Sequence, residues 1–224
     1  TDFDLAWFQR INASANSAQW TVHSALFISK RLPLVVAAAL AVGFCRRSTR
    51  STAASVLVAM AVTWCIVHLF HALVPLPRPA ALNLGTQWID QGNRPGFPSM
   101  HVSVAFAMAS ALWFRHSRWT VAALLLGVAM AWSRVCIGVH FPRDVLAAAL
   151  VGALAAGVSV PVLQQLKALA VGSDGAQRWV VRARMARGDV AAQSDPAWTD
   201  LEAAPLLEAF PDLTNNQVVV ITEA

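Results

Sequence analysis

The chain has 224 residues, of which 57% are hydrophobic and 13% are charged, whereas about 25% of residues are charged in an ordinary soluble domain. Residues 1–170 contain 13 Lys and Arg but only 4 Asp and Glu, while residues 188–224 contain seven acidic residues and no Lys or Arg. These values exclude a soluble enzyme, a disordered chain and a disulfide scaffold. They predict an integral membrane protein with a polar tail. The basic residues are dispersed between apolar runs, so we expect no nucleic-acid partner.

Five segments are predicted to cross the membrane, because a spanning helix needs about 20 mostly apolar residues. Residues 52–70 and 145–163 meet this requirement, and residues 26–45 meet it if Lys30 and Arg31 lie near the end of the span. Residues 101–114 and 119–138 are shorter or polar at one end, but between clear spans we interpret them as spans too. Residues 2–19 form an amphipathic entry segment. The predicted fold class is all-α, a polytopic membrane helix bundle.

The distribution of basic residues predicts the orientation of the bundle. Each span takes the chain across the membrane, so the segments that follow the first, third and fifth spans lie on the same side. These segments hold ten of the 17 basic residues. By the positive-inside rule this side is cytoplasmic. We therefore expect the N-terminus outside and the tail inside. The ten residues are Arg46, Arg47, Arg50, Arg115, Arg118, Lys167, Arg178, Arg182, Arg184 and Arg187.

Polar residues collect at four span ends, all of which lie on the outer side in this arrangement of spans. They follow the second span, open the third, close the fourth and open the fifth. Ionisable residues at membrane depth are costly and mark function by default. Four such groups on one side predict a functional site there. The groups are His71 with Arg78-Pro79, Pro98-Ser99-Met100-His101, Ser133-Arg134, and His140 with Arg143-Asp144.

These residue types favour the binding of a phosphate group. Arg78 and Arg134 carry planar guanidinium forks that suit phosphate oxygens. Ser99 stands at a predicted helix start, where free backbone N–H groups and the helix dipole attract anions. His140 and Asp144 are four residues apart, so on one helix they share a face and the carboxylate could fix the imidazole tautomer.

The same inventory favours phosphoryl transfer without a metal ion. His101 is a second imidazole, suited to protonating a leaving oxygen. Asp90 and Asp144 are the only acidic residues nearby, and they form no carboxylate-rich cluster for Mg²⁺ or Zn²⁺. We therefore expect neither a metal nor a cofactor.

The polar groups resemble the three-part signature of the type 2 phosphatidic acid phosphatase superfamily. The third part matches in full, whereas Met100 stands where glycine is usual and His71 where lysine is usual. The first 45 residues are similar to the bacterial undecaprenyl-diphosphatase branch, and residues 171–224 have no part in the resemblance. The matching motifs are His71-x₆-Arg78-Pro79, Pro98-Ser99-Met100-His101, Ser133-Arg134-x₅-His140-x₃-Asp144, Phe3-Asp4-Leu5-x₂-Phe8-x₂-Ile11-Asn12 and Lys30-Arg31-Leu32-Pro33.

The resemblance implies a role for each matching residue. His140 would attack phosphorus and become a phosphohistidine, while Asp144 orients and polarises its ring. His101 would protonate the leaving group and then activate water. His71 would be either a weakened hydrogen-bonding ligand or idle. The implied phosphate ligands are Arg78, Ser99, the backbone N–H of Met100 and Arg134.

The resemblance also implies a function and a location. The chain would be a bacterial inner-membrane phosphatase that converts undecaprenyl diphosphate to undecaprenyl phosphate at the periplasmic face, for reuse in cell-wall synthesis. One alternative is a phosphatase for another lipid, such as phosphatidylglycerophosphate or lipid A. A second is a non-catalytic lipid transporter or scramblase that binds phosphate head groups. The His140–Asp144 pair argues against the second, because binding alone needs arginines but no nucleophile.

We divide the chain into a membrane-embedded phosphatase domain, residues 1–170, and a cytoplasmic tail, residues 171–224. A glycine-containing break at residues 172–175 is expected between them. The tail is basic up to Arg187 and acidic beyond it. The basic part suits anionic lipids of the inner leaflet, and no protein partner of the acidic part is identified.

Overall fold

The computed structural model describes residues 2–92 and 94–189, with side chains described from residue 3 to residue 167 except residue 93. These residues form α-helices and one short 3₁₀ helix, Pro79–Leu82, and the described ranges contain no strand. The all-α prediction is therefore confirmed. The α-helices are α1 (Asp2–Ile11), α2 (Gln19–Cys45), α3 (Arg47–Leu73), α4 (Met100–Phe114), α5 (Thr120–Cys136) and α6 (Pro142–Asp189).

Helices α2 to α6 correspond one to one with the five predicted spans. Three segments are long and apolar enough to cross a membrane, namely Gln19–Cys45, Arg47–Leu73 and Pro142–Lys167, with mean hydropathies of 1.8, 2.1 and 2.2. Helices α4 and α5 are shorter apolar helices of 15 and 17 residues. At 1.5 Å per residue they are about 23 and 26 Å long, against about 30 Å for the hydrocarbon core.

The first span differs from its prediction at the N-terminal end. Helix α2 begins at Gln19, so Lys30 and Arg31 lie in its middle and not near its end. Both side chains are exposed, and Pro33 lies inside the helix without ending it. Hydropathy detects only the apolar part of a helix, whereas the backbone hydrogen bonds of α2 continue through the polar residues before that part.

Small residues form much of the bundle interior, and large apolar residues face outward. One core cluster joins Val56 and Ala59 of α3, Ala111 of α4, and Ala156 and Val160 of α6. Lipid tails are as apolar as leucine, so helices in a membrane gain more from close packing than from hiding large side chains. The outward-facing residues include Val121, Leu125, Leu146, Leu150, Leu154 and Val158, which are at least 60% exposed.

Gly152 marks the closest approach of two helices, and it supports a stability prediction. A Cβ at this position would collide with the backbone atoms Ser103 O and Ala107 N of α4. Backbone atoms cannot rotate away, so we expect Gly152→Ala to destabilise the bundle by about 1–3 kcal/mol, as overpacking does. The measurement is the melting temperature of the purified protein in detergent.

Gly157 provides the matched control for this prediction. It lies on the same helix, but the nearest atom to an added Cβ is the ring atom Cζ of Phe114 at 3.6 Å, an ordinary contact. Alanine also has the higher helix propensity, so Gly157→Ala should keep or raise the melting temperature. Equal melting temperatures for the two variants would contradict the close packing of α4 against α6.

The chain divides into two compact units, Thr1–Leu163 and Gln164–Ala224. The described part of the second unit, residues 164–189, is helical as part of α6. The break expected at residues 172–175 is therefore wrong, because the helix tolerates both glycines, each at a cost of about 1 kcal/mol relative to alanine. The acidic segment of the predicted tail, residues 190–224, lies outside the described residues.

Candidate active site

The structure brings the polar groups of four helix ends together at one end of the bundle. Backbone hydrogen bonds connect the segment between α3 and α4 to the turn between α5 and α6. Ser99 N–H donates to Asp144 O at 3.2 Å, and Trp88 N–H donates to Ile137 O at 3.0 Å. The two connections therefore form one surface around the start of α6.

Helix-capping chemistry places the carboxylate of Asp144 beside His140. Pro142 is the first residue of α6, a position where the missing N–H of proline costs nothing. Asp144 Oδ2 accepts the N–H of Phe141, the residue before the helix, at 2.9 Å, as the third residue does in a capping box. The same oxygen lies 3.6 Å from His140 Nδ1, and both residues are 1% exposed. The cap therefore holds the carboxylate near the imidazole, while His140 Nδ1 itself makes no hydrogen bond among the described residues.

Arg78 contacts the opposite nitrogen of the same ring. Its Nη1 lies 3.2 Å from His140 Nε2. A guanidinium only donates hydrogen bonds, so Nε2 is the acceptor and the neutral ring carries its hydrogen on Nδ1, facing Asp144. Burial lowers the pKa of His140 well below its usual value, and the charges of Arg134 and Arg78 lower it further. The imidazole is therefore neutral with a lone pair on Nε2, the state that a nucleophile requires.

The guanidinium of Arg78 is held rigidly by backbone carbonyls. Nε donates to Arg94 O at 3.0 Å, Nη2 to Pro95 O at 3.1 Å and Nη1 to Val139 O at 3.0 Å. Burial lowers the pKa of Arg78 below its usual value, and the neighbouring Asp144 opposes that shift. An arginine remains charged in proteins, so the site contains a fixed cation beside His140.

Two further polar groups are buried without a hydrogen-bond partner among the described residues. Arg134, 2% exposed in the last turn of α5, donates from Nη1 to Ser29 Oγ of α2 at 2.7 Å, but its Nε has no partner. Ser99 Oγ is also buried and unpaired. Buried polar groups are normally hydrogen-bonded, and both of these can donate to the oxygens of a phosphate group.

The N-terminus of α4 adds backbone donors to the cluster. Ser99 is the residue before the helix, and its side chain makes no capping bond. Met100 and His101 are the first two helical residues, and N–H groups at that position have no partner within the helix. The Met100 N–H can therefore donate to an anion even though a side chain replaces the glycine that is usual here.

His101 borders an apolar cavity of about 650 Å³ between α2, α3, α4 and α5. The cavity extends from Met100 and His101 to Phe44 and Cys45, close to the far end of α2. Ser29 contacts Arg134 at the site end, and the 16 residues from there to Cys45 span about 24 Å of helix. The imidazole of His101 is exposed, so it lies where the polar cluster and the apolar cavity meet.

His71 holds the loop that carries Ser99. Its Nε2 lies 3.0 Å from the carbonyl oxygen of Pro98, and because a carbonyl only accepts, this nitrogen carries the hydrogen. The structure thus gives His71 a hydrogen-bonded position next to the cluster, at the place where lysine is usual in the superfamily.

This contact predicts how the site responds to changes at His71. A lysine could donate to Pro98 O in the same way, so His71→Lys should keep or raise kcat/KM on a lipid phosphate. His71→Ala should lower it about fivefold, since it leaves one hydrogen bond unmade. The control is His68→Ala, one turn earlier, where the exposed ring bonds only to Trp64 O. Wild-type rates in both His71 variants would show that the position is idle.

Three residues near the site have no counterpart in the three-part signature. Asp4 of α1 contacts Arg143, and Ser29 of α2 contacts Arg134. Asn12 follows α1 and accepts from Thr86 N–H at 2.7 Å while donating to the carbonyl oxygens of Thr86 and Cys136. Asp4 and Asn12 lie in the opening motif that resembles the undecaprenyl-diphosphatase branch, which was the one available signal. Ser29 had none.

Within the described residues, no group of three His, Cys, Asp or Glu side chains is close enough to hold a metal ion. The donors at the site are guanidinium, hydroxyl and backbone N–H groups. All three donate directly to an anion, and the guanidinium and N–H groups have no lone pair to offer a metal ion.

The fold and the site define a membrane protein with a buried, positively charged cluster around a neutral imidazole. Residues 52–168 match the family model described as PAP2 superfamily. The chain is 35% identical over 158 residues, 67% of this chain and 78% of the relative, to "Putative undecaprenyl-diphosphatase YbjG" of Escherichia coli (strain K12).

Two solved structures share the fold. The Aquifex aeolicus LpxE structure has a TM-score of 0.59 at 24% identity, covering 70% of this chain and 94% of its own. A PAP2-type phosphatidylglycerolphosphate phosphatase from Bacillus subtilis has a TM-score of 0.59 at 18% identity, covering 73% and 86%. The chain belongs to the PAP2 superfamily. It is a membrane lipid phosphatase, a hydrolase, and the resemblance seen in its sequence is confirmed.

Proposed function

We propose that this phosphatase hydrolyses undecaprenyl diphosphate to undecaprenyl phosphate and phosphate, through a phosphohistidine at His140. The observation that carries the proposal is the state of His140. Its ring is buried and neutral. Asp144 Oδ2 lies 3.6 Å from Nδ1, and Arg78 Nη1 lies 3.2 Å from Nε2. A site that only binds phosphate needs no imidazole with a fixed tautomer.

In the first chemical step, Nε2 of His140 attacks the terminal phosphorus. The P–N bond forms as the bond to the bridging oxygen breaks, and His101 gives its proton to that oxygen. A phosphoryl oxygen replaces Nε2 as the acceptor of one Arg78 Nη1 hydrogen, while Arg134, Ser99 and the Met100 N–H also bind the phosphoryl oxygens.

The second step returns the enzyme to its starting state. His101, now unprotonated, takes a proton from a water molecule, whose oxygen attacks phosphorus while the P–N bond breaks. Inorganic phosphate leaves and His140 regains its lone pair on Nε2. During attack the ring of His140 becomes cationic, so the carboxylate of Asp144 stabilises both transition states.

The apolar cavity supports a substrate with a long hydrocarbon tail. His101 lies at one end of it, and apolar side chains line it along the second half of α2, from Leu32 to Cys45. The name of the Escherichia coli relative supports the diphosphate. The Bacillus subtilis neighbour is named for phosphatidylglycerolphosphate, so that lipid is retained as a rival substrate, together with lipid A.

The test is phosphate release from a panel of purified lipid phosphates in detergent, measured once with EDTA and once with Mg²⁺ in its place. We expect the highest kcat/KM for undecaprenyl diphosphate, followed by phosphatidylglycerophosphate and lipid A. A higher value for either of these would replace the proposed substrate and retain the chemistry. No release from any lipid, with or without Mg²⁺, would favour the transporter alternative and overturn the proposed function.

We further propose that the site faces the periplasm of a bacterial inner membrane and that residues 171–224 form a cytoplasmic tail. The excess of basic residues after the first, third and fifth spans supports this orientation. The basic part of the tail would then contact anionic lipids of the inner leaflet. A reporter fused after Ala224 should be active only if it works in the cytoplasm, and an active periplasmic reporter there would invert the orientation.

A further inference from the structure

Helix α1 reaches the turn between α5 and α6 at two points, Asp4 and Phe8, one helical turn apart. Phe8 is fully buried, and its ring centroid lies 5.3 Å from that of Phe141, the neighbour of His140. Asp4 is 6% exposed. A buried carboxylate is costly unless it is paired, so its partners show what this residue does.

Both oxygens of Asp4 contact Arg143. Oδ1 accepts the backbone N–H of Arg143 at 2.9 Å, and Oδ2 lies 3.4 Å from its side-chain Nε. Arg143 is the second residue of α6, where an acidic group is favoured by a free N–H and by the helix dipole. Asp4 therefore caps the helix that carries Asp144, from another part of the chain.

Arg143 connects Asp4 to the proposed catalytic pair. Its Nε also lies 3.5 Å from Asp144 Oδ1, and its guanidinium stacks 5.1 Å from the Phe141 ring. Asp144 thus has one oxygen toward Arg143 and the other toward His140 and the Phe141 N–H. With both oxygens engaged, the carboxylate plane cannot rotate freely.

The side chain of Arg143 is 43% exposed, so Asp144 alone would hold it weakly against solvent and lipid head groups. Asp4, itself buried, adds a second carboxylate 3.4 Å from the same Nε and fixes the backbone of Arg143 by the cap. The order of contacts is Asp4, Arg143, Asp144 and His140, along a continuous path of side chains.

We propose that Asp4 is a positioning residue for the phosphatase reaction, acting through Arg143 to set the carboxylate of Asp144 against His140. The inference rests on the proposed function, since it concerns the orientation of the proposed nucleophile. It assigns the N-terminal helix, which lies outside the three-part signature, to the chemical step.

Asp4→Asn separates this role from helix capping. Asparagine keeps a carbonyl oxygen for the Arg143 N–H but loses the charge that holds the guanidinium. We expect kcat on the lipid substrate to fall about tenfold, as coupling within one salt-bridge network allows, with KM and melting temperature unchanged. Asp90→Asn is the matched control, because exposed Asp90 also accepts a backbone N–H, from Gly92 at 2.8 Å, and its kcat should not change.

A double-mutant cycle on kcat distinguishes a positioning role from a purely structural one. Arg143→Gln removes the connecting guanidinium and should lower kcat by about the same factor. In that background Asp4→Asn should have no further effect on kcat. If the effects multiply, Asp4 acts independently of Arg143 and the inference is overturned.

The remaining outcomes are also decisive. Wild-type kcat in Asp4→Asn would overturn the inference while leaving the proposed function intact. If that variant does not fold, Arg143→Gln alone tests the connection, and a wild-type kcat there overturns it. If the wild-type protein releases phosphate from no lipid in the substrate panel, the proposed function and this inference are both overturned.

Discussion

His140→Ala should abolish turnover, with kcat falling by about 10⁴-fold or more, the scale seen when a nucleophile is removed. Lipid binding should persist, because Arg78, Arg134 and Ser99 remain. The measurements are phosphate release and equilibrium binding of the same lipid. His23→Ala serves as a control, since that imidazole is exposed on α2.

The covalent intermediate is the direct observable of this mechanism. Rapid quenching with phosphorus-labelled substrate should trap acid-labile, base-stable label on His140. Asp144→Asn should slow label formation by about 10³-fold or more, because a neutral amide no longer stabilises the cationic ring. His101→Ala should retain label longer, because water is then activated poorly. Absence of label in wild type and in His101→Ala, together with inversion of configuration at phosphorus, would exclude the covalent route, because two successive displacements retain the configuration.

Arg78→Lys should lower kcat by about 10²–10³-fold, as the loss of one preorganised donor does elsewhere. The guanidinium uses Nε, Nη1 and Nη2 to bond three carbonyls and His140 Nε2. An ammonium is a point charge without this planar fork, so it keeps the charge and loses the position. Steady-state kinetics on the preferred lipid measure the effect.

Arg94→Lys is the matched control for Arg78→Lys. Arg94 lies in the same connection between α3 and α4, its side chain is exposed, and only its backbone carbonyl contacts the site. We expect its kcat to equal that of wild type. Equal losses in the two variants would show that positive charge on this connection matters and the fork of Arg78 does not.

Hydropathy and motif spacing predicted most of the architecture. Apolar runs of suitable length predicted five spans, because a helix in lipid must satisfy its own backbone hydrogen bonds and cannot expose polar side chains cheaply. The same pattern misplaced the start of α2, since residues 19–25 are polar enough to escape a hydropathy criterion but form the same helix. The break expected at residues 172–175 failed for a related reason, because glycine weakens a helix without ending it.

The chemical inventory of the site could also be predicted from the chain. Arginine, serine and histidine at four span ends indicated an anion site, because parity alone assigns those ends to one side of the membrane. The i, i+4 spacing placed His140 near Asp144, and the capping geometry of α6 now gives the reason. Spacing could not predict the tautomer of His140, because the tautomer depends on Nη1 of Arg78, which lies 62 residues earlier in the chain.

The sequence by itself determined the class of protein and the number of apolar helices, and it indicated the reactive groups proposed here, because these follow from local composition and from the few residues that can perform phosphoryl transfer. Only the tertiary structure decided how those groups are held. Three contacts join residues that are 27 to 139 positions apart in the chain. They are Ser29 with Arg134, His71 with Pro98 and Asp4 with Arg143. Such contacts leave no periodic or spacing signal, since their partners meet only after the helices have packed.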